Sequence, residues 1–232
     1  RMTAMTAIFL PRRTALVFLT KAVLTCGAWA WSLSAQADGL DLLAQFMKQA
    51  RSGRAQFTQV VTSPSRAGQT PRAKTSSGSF EFQRPGKFRF DYRKPFAQTL
   101  LADGQTLWLH DVELNQVTAR KQSQALGSTP AALLTAASDL QALKADFQFT
   151  PEPERDGLQW VRATPQSPDG QIRSVMVGLR AAATGPELAV LDVQDSLGQR
   201  SVLTFSAFEI NPALPANTFV FKAPAGADVI KL

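Results

Sequence analysis

Between Ser79 and Tyr92, apolar and polar positions alternate twice. Phe80 and Phe82 alternate with Ser79, Glu81 and Gln83; Phe88, Phe90 and Tyr92 alternate with Arg89 and Asp91; Arg84-Pro85-Gly86 separates the two runs. A period of two marks a strand with one apolar face, and Pro-Gly is a local turn signal. The pattern predicts two neighbouring strands that set five aromatic rings on one face, with Arg84 at the rim. Two readings fit this stretch alone: the inner face of an ordinary β-sandwich, or a sheet lining a cavity with an arginine at its mouth.

The rest of the chain extends the pattern. Asp38 suits an N-cap, and Leu40, Leu43, Phe46, Met47 and Ala50 recur at helical spacing, predicting a short amphipathic helix to about Arg51 that Gly53 ends. A strand carrying Phe57 is expected over 56–62, and the Ser-, Pro- and Gly-rich residues 63–77 read as a solvated hairpin loop. Strands are expected over 99–102, over 106–110 with Trp108, and over 115–119, the first two joined by the tight turn Asp103-Gly104. At Thr129-Pro130 the period becomes helical. Leu133 and Leu134 lie in a short helix over 131–137, Ser138-Asp139 is a second cap, and Leu140, Leu143 and Phe147 follow on one face. Helices this rich in alanine cover a surface more than they build a core, and they interrupt the strands as a lid does. Strands return over 147–150, 159–163, 172–179, 188–194, 201–210 and 218–221, with turns at Asp169-Gly170 and Leu197-Gly198. The expected fold is mainly β, one domain over 38–232, with about ten or eleven short strands in a curled or barrel-like sheet.

Residues 1–37 read as a signal peptide: Arg12 and Arg13, a largely apolar run over 14–30, then small residues at Ala35 and Ala37. Cleavage is expected before Asp38. Lys21 within the apolar run argues against a membrane anchor. Cys26, the only cysteine, lies in this segment; Thr25 stands where a bacterial lipobox has a small residue, which weighs against lipidation. The segment holds Arg1, Arg12, Arg13 and Lys21 and no acid, so the net charge of +7 falls to about +3 once it is removed (25 less 4 basic residues against 18 acidic). The basic residues are scattered rather than clustered, so nothing suggests a nucleic-acid surface. His110 is the only histidine, so neither a histidine metal cluster nor a complete nucleophile–base set is available. Glu152 with Glu154 and Asp192 with Asp195 read as solvated carboxylates, and no glycine pattern cradles a phosphate. No enzyme, cofactor or metal is expected. An aromatic-rich β domain with helices over one opening favours an apolar ligand.

Five short motifs carry a resemblance. Ala55-Gln56-Phe57-Thr58-Gln59, Arg84-Pro85-Gly86-Lys87-Phe88, Asp103-Gly104-Gln105-Thr106-Leu107-Trp108, Thr129-Pro130 and Phe219-Val220-Phe221-Lys222-Ala223-Pro224-Ala225-Gly226 occur in this order. Over 38–229 the chain resembles the periplasmic outer-membrane lipoprotein carrier (LolA) family. The resemblance implies an unclosed antiparallel β-barrel with an α-helical lid over a hydrophobic cavity for acyl chains. It implies a monomer in the periplasm that accepts acylated lipoproteins from an inner-membrane ABC exporter and delivers them to an outer-membrane lipoprotein receptor, with no nucleic acid involved. Arg84 is then expected to lock the lid through the backbone carbonyls of Ala132, Leu134 and Thr135, its rigid fork of donors bridging several acceptors where a lysine cannot. The acyl cavity is expected to be lined by Phe57, Phe80, Phe82, Phe88, Phe90, Tyr92, Trp108 and Leu133. Ala131 and Ala132 depart from the larger apolar residues common in the family. Three rivals remain: an anchored receptor of similar fold, a carrier of another acylated envelope molecule, and a lipid or envelope hydrolase, against which the missing nucleophile–base set argues.

Overall fold

A computed structural model describes residues 38–64, 70–125, 140–167 and 170–232. Helix α1 (Gly39–Gln49) starts at Asp38, whose carboxylate accepts the Asp41 amide at 2.9 Å, and it buries Leu42, Leu43, Phe46 and Met47. Twelve strands follow: β1 (Ser52–Thr62), β2 (Ala73–Gln83), β3 (Lys87–Lys94), β4 (Gln98–Asp103), β5 (Thr106–Asp111), β6 (Gln116–Lys121), β7 (Phe147–Arg155), β8 (Leu158–Pro165), β9 (Ile172–Ala182), β10 (Gly185–Asp195), β11 (Arg200–Ile210) and β12 (Asp228–Lys231). Two further four-residue helices are described, α2 (Gln122–Ala125) and α3 (Leu140–Leu143).

All twelve strands form one sheet in the order β12-β6-β5-β4-β3-β2-β1-β11-β10-β9-β8-β7. Every pairing is antiparallel except β12 with β6, which is parallel. No pairing joins β7 to β12 among the described residues, so the sheet is curled and unclosed, as expected for a barrel left open. α1 lies on its concave face against β7–β10. There Leu43, Phe46 and Met47 share one apolar core with Val161, Val175, Val177, Leu179, Leu188 and Leu191. Gly39 is required at the point of closest approach, since a Cβ there would stand 2.6 Å from the Trp160 carbonyl oxygen.

The convex face carries two smaller cores. Trp160 lies over Gly178, with Leu158, Met176 and Ala189 around it. Leu101, Val117 and Ala119 are buried on the face that carries Trp108, on which Phe221 of the C-terminal segment stacks; Phe219 is buried as well. That segment corrects one expectation: residues 218–221 are the end of a turn and irregular chain, not a strand. Pro212, Pro215 and Pro224 surround it and withhold the N–H donors a ladder needs. The last strand is instead β12, and β2 begins at Ala73, inside the stretch expected to be loop. β7 runs on through Pro151 and Pro153, which an edge strand tolerates because no second neighbour needs those donors. The signal peptide expected over 1–37 and the helix expected over 131–137 lie outside the described residues. No helix among the described residues is long and apolar enough to cross a membrane.

Candidate functional site

The alternating stretch forms the hairpin β2–β3 as expected, in the register Phe80↔Phe90, Phe82↔Phe88 and Gly78↔Tyr92, with β1 adding Phe57 opposite Gly78. These side chains share the concave face. Phe80 stacks on Phe90 at 4.5 Å between centroids and on Phe82 at 5.7 Å, and Phe88 meets Phe90 edge-on at 6.1 Å. Gly78 lies opposite both Phe57 and Tyr92, at a point where a Cβ would overlap the Asp91 carbonyl oxygen, and the two rings meet edge-on at 5.0 Å. The outcome is a continuous aromatic floor, extended by Phe205 of β11, 5.4 Å from Phe80. Such tilted and offset contacts are the favoured arrangements of aromatic quadrupoles.

The floor is covered. Phe88 is fully buried, and Phe57, Phe80, Phe82 and Phe90 are each 4 % exposed or less. Among the described residues, Phe46 of α1 sits 6.3 Å from Phe82, and Ala125 of α2 and Leu143 of α3 belong to the same core. Any ligand laid on these rings must displace part of what covers them.

At one end of the floor Tyr92 turns polar. Its hydroxyl donates to Gln59 Oε1 at 3.0 Å, and Gln59 Nε2 donates to Ser201 Oγ at 2.8 Å. Burial pushes the Tyr92 pKa up to about 12. At the other end stands Arg84, in the turn after β2. Its Nη1 donates to the carbonyl oxygens of Met47 at 2.8 Å, Phe46 at 3.4 Å and, in a short bond, Ala50; Nη2 lies 3.2 Å from Met47 Sδ. The guanidinium sits 5.2 Å from the Phe46 ring and 5.3 Å from the Phe82 ring. Arg84 therefore caps the C-terminus of α1, where the last carbonyls lack intrahelical donors and the helix dipole favours a cation. Burial lowers its pKa to about 10, which leaves it charged at neutral pH. Gln122 ties the neighbouring turns together, donating to Gly86 O at 2.7 Å and accepting from Gly104 N at 2.9 Å. A largely apolar cleft of about 660 Å³ opens beside Arg84, lined by Ala44, Met47, Arg51, Pro85, Leu140 and Lys144.

Of the expected site residues, Phe57, Phe80, Phe82, Phe88, Phe90 and Tyr92 come together on one face. Trp108 does not join them. Its neighbour Leu107 points into the concave core, so Trp108 faces the convex side, where it stacks on Phe221 at 4.8 Å and donates to Asp103 Oδ2 at 2.8 Å. Leu133 and the expected Arg84 partners Ala132, Leu134 and Thr135 lie outside the described residues. Sequence reading missed the partnership of Arg84 with α1, which no side chain of the helix signals because the acceptors are backbone carbonyls. It also missed Phe205, although the alternation Leu203-Thr204-Phe205 contains it, and Asn211. Asn211, at φ 53°, staples α1 to β1 by accepting the Arg51 and Ser52 amides and donating to Gln49 O.

Residues 48–222 match the family described as outer membrane lipoprotein carrier protein LolA. The chain belongs to this carrier family. Among its relatives, an outer-membrane lipoprotein carrier protein of Albidiferax ferrireducens is 63% identical over 202 residues, covering 87% of this chain and 95% of that protein. One of the same description from Leptothrix cholodnii is 53% identical over 220 residues, covering 95% of this chain and 98% of that protein. The fold matches the crystal structure of an uncharacterized conserved protein from Thermus thermophilus with a TM-score of 0.51 at 10% identity, covering 83% of this chain and 96% of that one. The 55–59 and 84–88 motifs place Phe57 and Phe88 on the floor and Arg84 at the C-terminal end of α1; in the 103–108 motif Leu107 faces the concave core and Trp108 the convex side.

Proposed function

We propose that this chain is a carrier, not an enzyme, that shields the acyl chains of lipoproteins against its aromatic floor while they cross the periplasm. The observation that carries the reading is the floor itself: six aromatic side chains on one concave face, covered in this state and bounded by an arginine that holds a helix end. A fatty tail buries about 0.8 kcal/mol per methylene in a bilayer, so a triacylated protein is held there by tens of kcal/mol. It cannot cross water unaided. A floor of flat rings supplies apolar contact without directional bonds, which suits release as well as capture. Loading is the uphill step and is supplied from outside, by an inner-membrane ABC exporter; unloading runs downhill to an outer-membrane receptor. The carrier works as a monomer and needs no cofactor. In this cycle Arg84 is the latch: opening the cover means releasing the α1 carbonyls from the guanidinium.

Purification of the protein from periplasm, with mass spectrometry of whatever co-elutes, tests the reading. Acylated amino-terminal peptides are the expected cargo. A protein that carries none, and that fails to bind a triacylated lipopeptide in solution, contradicts it.

A further inference from the structure

The chain holds 15 Phe and one Tyr, and the tyrosine stands where the aromatic floor stops. Phe57 and Phe90 meet the Tyr92 ring on its inner side, edge-on at 5.0 Å and stacked at 6.2 Å between centroids. Its hydroxyl reaches across β2 to Gln59 Oε1 of β1 at 3.0 Å, and Gln59 Nε2 goes on to Ser201 Oγ of β11 at 2.8 Å. Side chains from β3, β1 and β11 thus form a polar crossbar on the concave face. They occupy the positions adjoining Phe90, Phe57 and Leu203 along the three strands.

The crossbar divides two environments. On its inner side Phe57, Phe90 and Leu203 are all buried. On its outer side two clefts begin. One, of about 800 Å³, is lined by Tyr92 and Gln59 with Phe96, Arg72, Lys74 and Asp111. The other, of about 620 Å³, is lined by Gln59 and Ser201 with Leu197, Asp195 and Gln199. Each methylene of a tail laid on the rings adds apolar contact until the tail reaches the crossbar. Going further means parting Tyr92 from Gln59, which leaves a phenol and an amide without partners. The methylenes beyond it enter clefts whose walls carry charged and amide groups, so they gain less. A hydrogen-bonded bar can refuse hydrocarbon where one more phenylalanine would accept it.

We propose that the Tyr92–Gln59–Ser201 crossbar is the end stop of the acyl site and fixes how long a tail the floor shields. The assignment rests on the carrier reading and adds a selectivity to it: affinity grows with tail length only as far as the bar. Tails enter at the Arg84 end, where the latch opens, and their methyl ends face Tyr92.

Competition against a fluorescent triacylated lipopeptide, below the concentration at which micelles form, tests this. In the competitors one tail runs from about 10 to about 20 carbons while the other two stay short; each added methylene should raise affinity about threefold to fourfold up to a break, and change it by less than about 1.5-fold beyond. Tyr92→Ala removes the bar, and its break should move to tails longer by about two carbons or more. Gln59→Leu/Tyr92→Phe replaces both partners of the hydrogen bond with apolar groups of similar shape, so it should keep its thermal melt while its break also moves outward. Trp108→Phe, on the convex side, should leave the break in place. A break at the same length in either folded variant overturns the proposal, since a merely structural bond would change the melt and not the length preference. An affinity that climbs through the whole series in the unmodified protein, or a break that also moves in Trp108→Phe, overturns it too. Lipopeptides that fail to bind at any length strike the carrier reading and the stop with it, whereas binding without a break strikes the stop alone.

Discussion

The concave face has two halves that bury apolar surface in different ways. Over β8–β10, Val161, Val175, Val177, Leu179, Leu188 and Leu191 receive Leu43, Phe46 and Met47 of α1, branched side chains interlocking with a helix. Over β1–β3 the rings of Phe57, Phe80, Phe82, Phe88, Phe90 and Tyr92 touch mainly one another, in stacked or edge contacts 4.5–6.2 Å apart between centroids. Interlocked packing resists exchange because each removed methylene leaves a void. Rings in mutual contact already satisfy their edges and offer a smoother surface outward. One half thus anchors the helix, and under the proposed function the other trades its cover for a ligand.

Substitutions should separate the halves. The largest effect is expected in the interlocked half: Leu179→Ala, at a fully buried position, should cost about 3 kcal/mol in urea unfolding while lipopeptide affinity per folded molecule stays the same. Arg84→Leu comes next. It removes the guanidinium donor from the carbonyls of Met47 and Ala50, while Phe46 O keeps the Ala50 amide, and should cost about 2 kcal/mol, with faster exchange of the amides at the end of α1 and impaired handover of cargo. Normal handover by that variant removes Arg84 from the mechanism. Phe90→Leu should cost only about 1 kcal/mol in stability yet weaken lipopeptide binding, the reverse of Leu179→Ala. If the two variants behave alike, the distinction between the halves fails.

The smallest effect is in pH. Tyr92 is the chain's only tyrosine, so its absorbance titration reads one group. Burial favours the neutral phenol and moves its pKa up to about 12 from 10.0. The stability it contributes is therefore fully present below pH 10 and is lost as the pH rises through about 12. A midpoint near 12 in the folded protein, falling to about 10 in denaturant, is expected; a folded midpoint near 10 means that this end of the floor is open to water.

Much of the floor was legible because strand alternation is local. Phe80, Phe82, Phe88, Phe90 and Tyr92 declare their common face by spacing alone, and Arg84-Pro85-Gly86 declares the turn. Trp108 was misplaced because Leu107-Trp108-Leu109 is apolar at every position, so alternation gives no face; only the pairing of β5 with β4 and β6 decides it. Phe219-Val220-Phe221 has strand-like composition, but Phe219 is buried and Phe221 stacks on Trp108 of the convex face while Val220 stays exposed. β12 escaped because Val229-Ile230 is a short run whose partner, β6, lies more than a hundred residues away in sequence. The capping of α1 by Arg84 was out of reach for the same reason: it joins residues 34 to 38 apart through backbone acceptors that carry no sequence signal.

The central claim is that lipoprotein tails lie on the β1–β3 rings. The direct measurement uses a triacylated lipopeptide with a photoreactive diazirine on one tail, cross-linked to the loaded protein and mapped by mass spectrometry. The account predicts adducts on the concave residues of β2 and β3, chiefly Phe80, Phe88 and Phe90, that disappear with excess unlabelled lipopeptide. Adducts confined to the convex face, around Trp108 and Phe221 or around Trp160, contradict it.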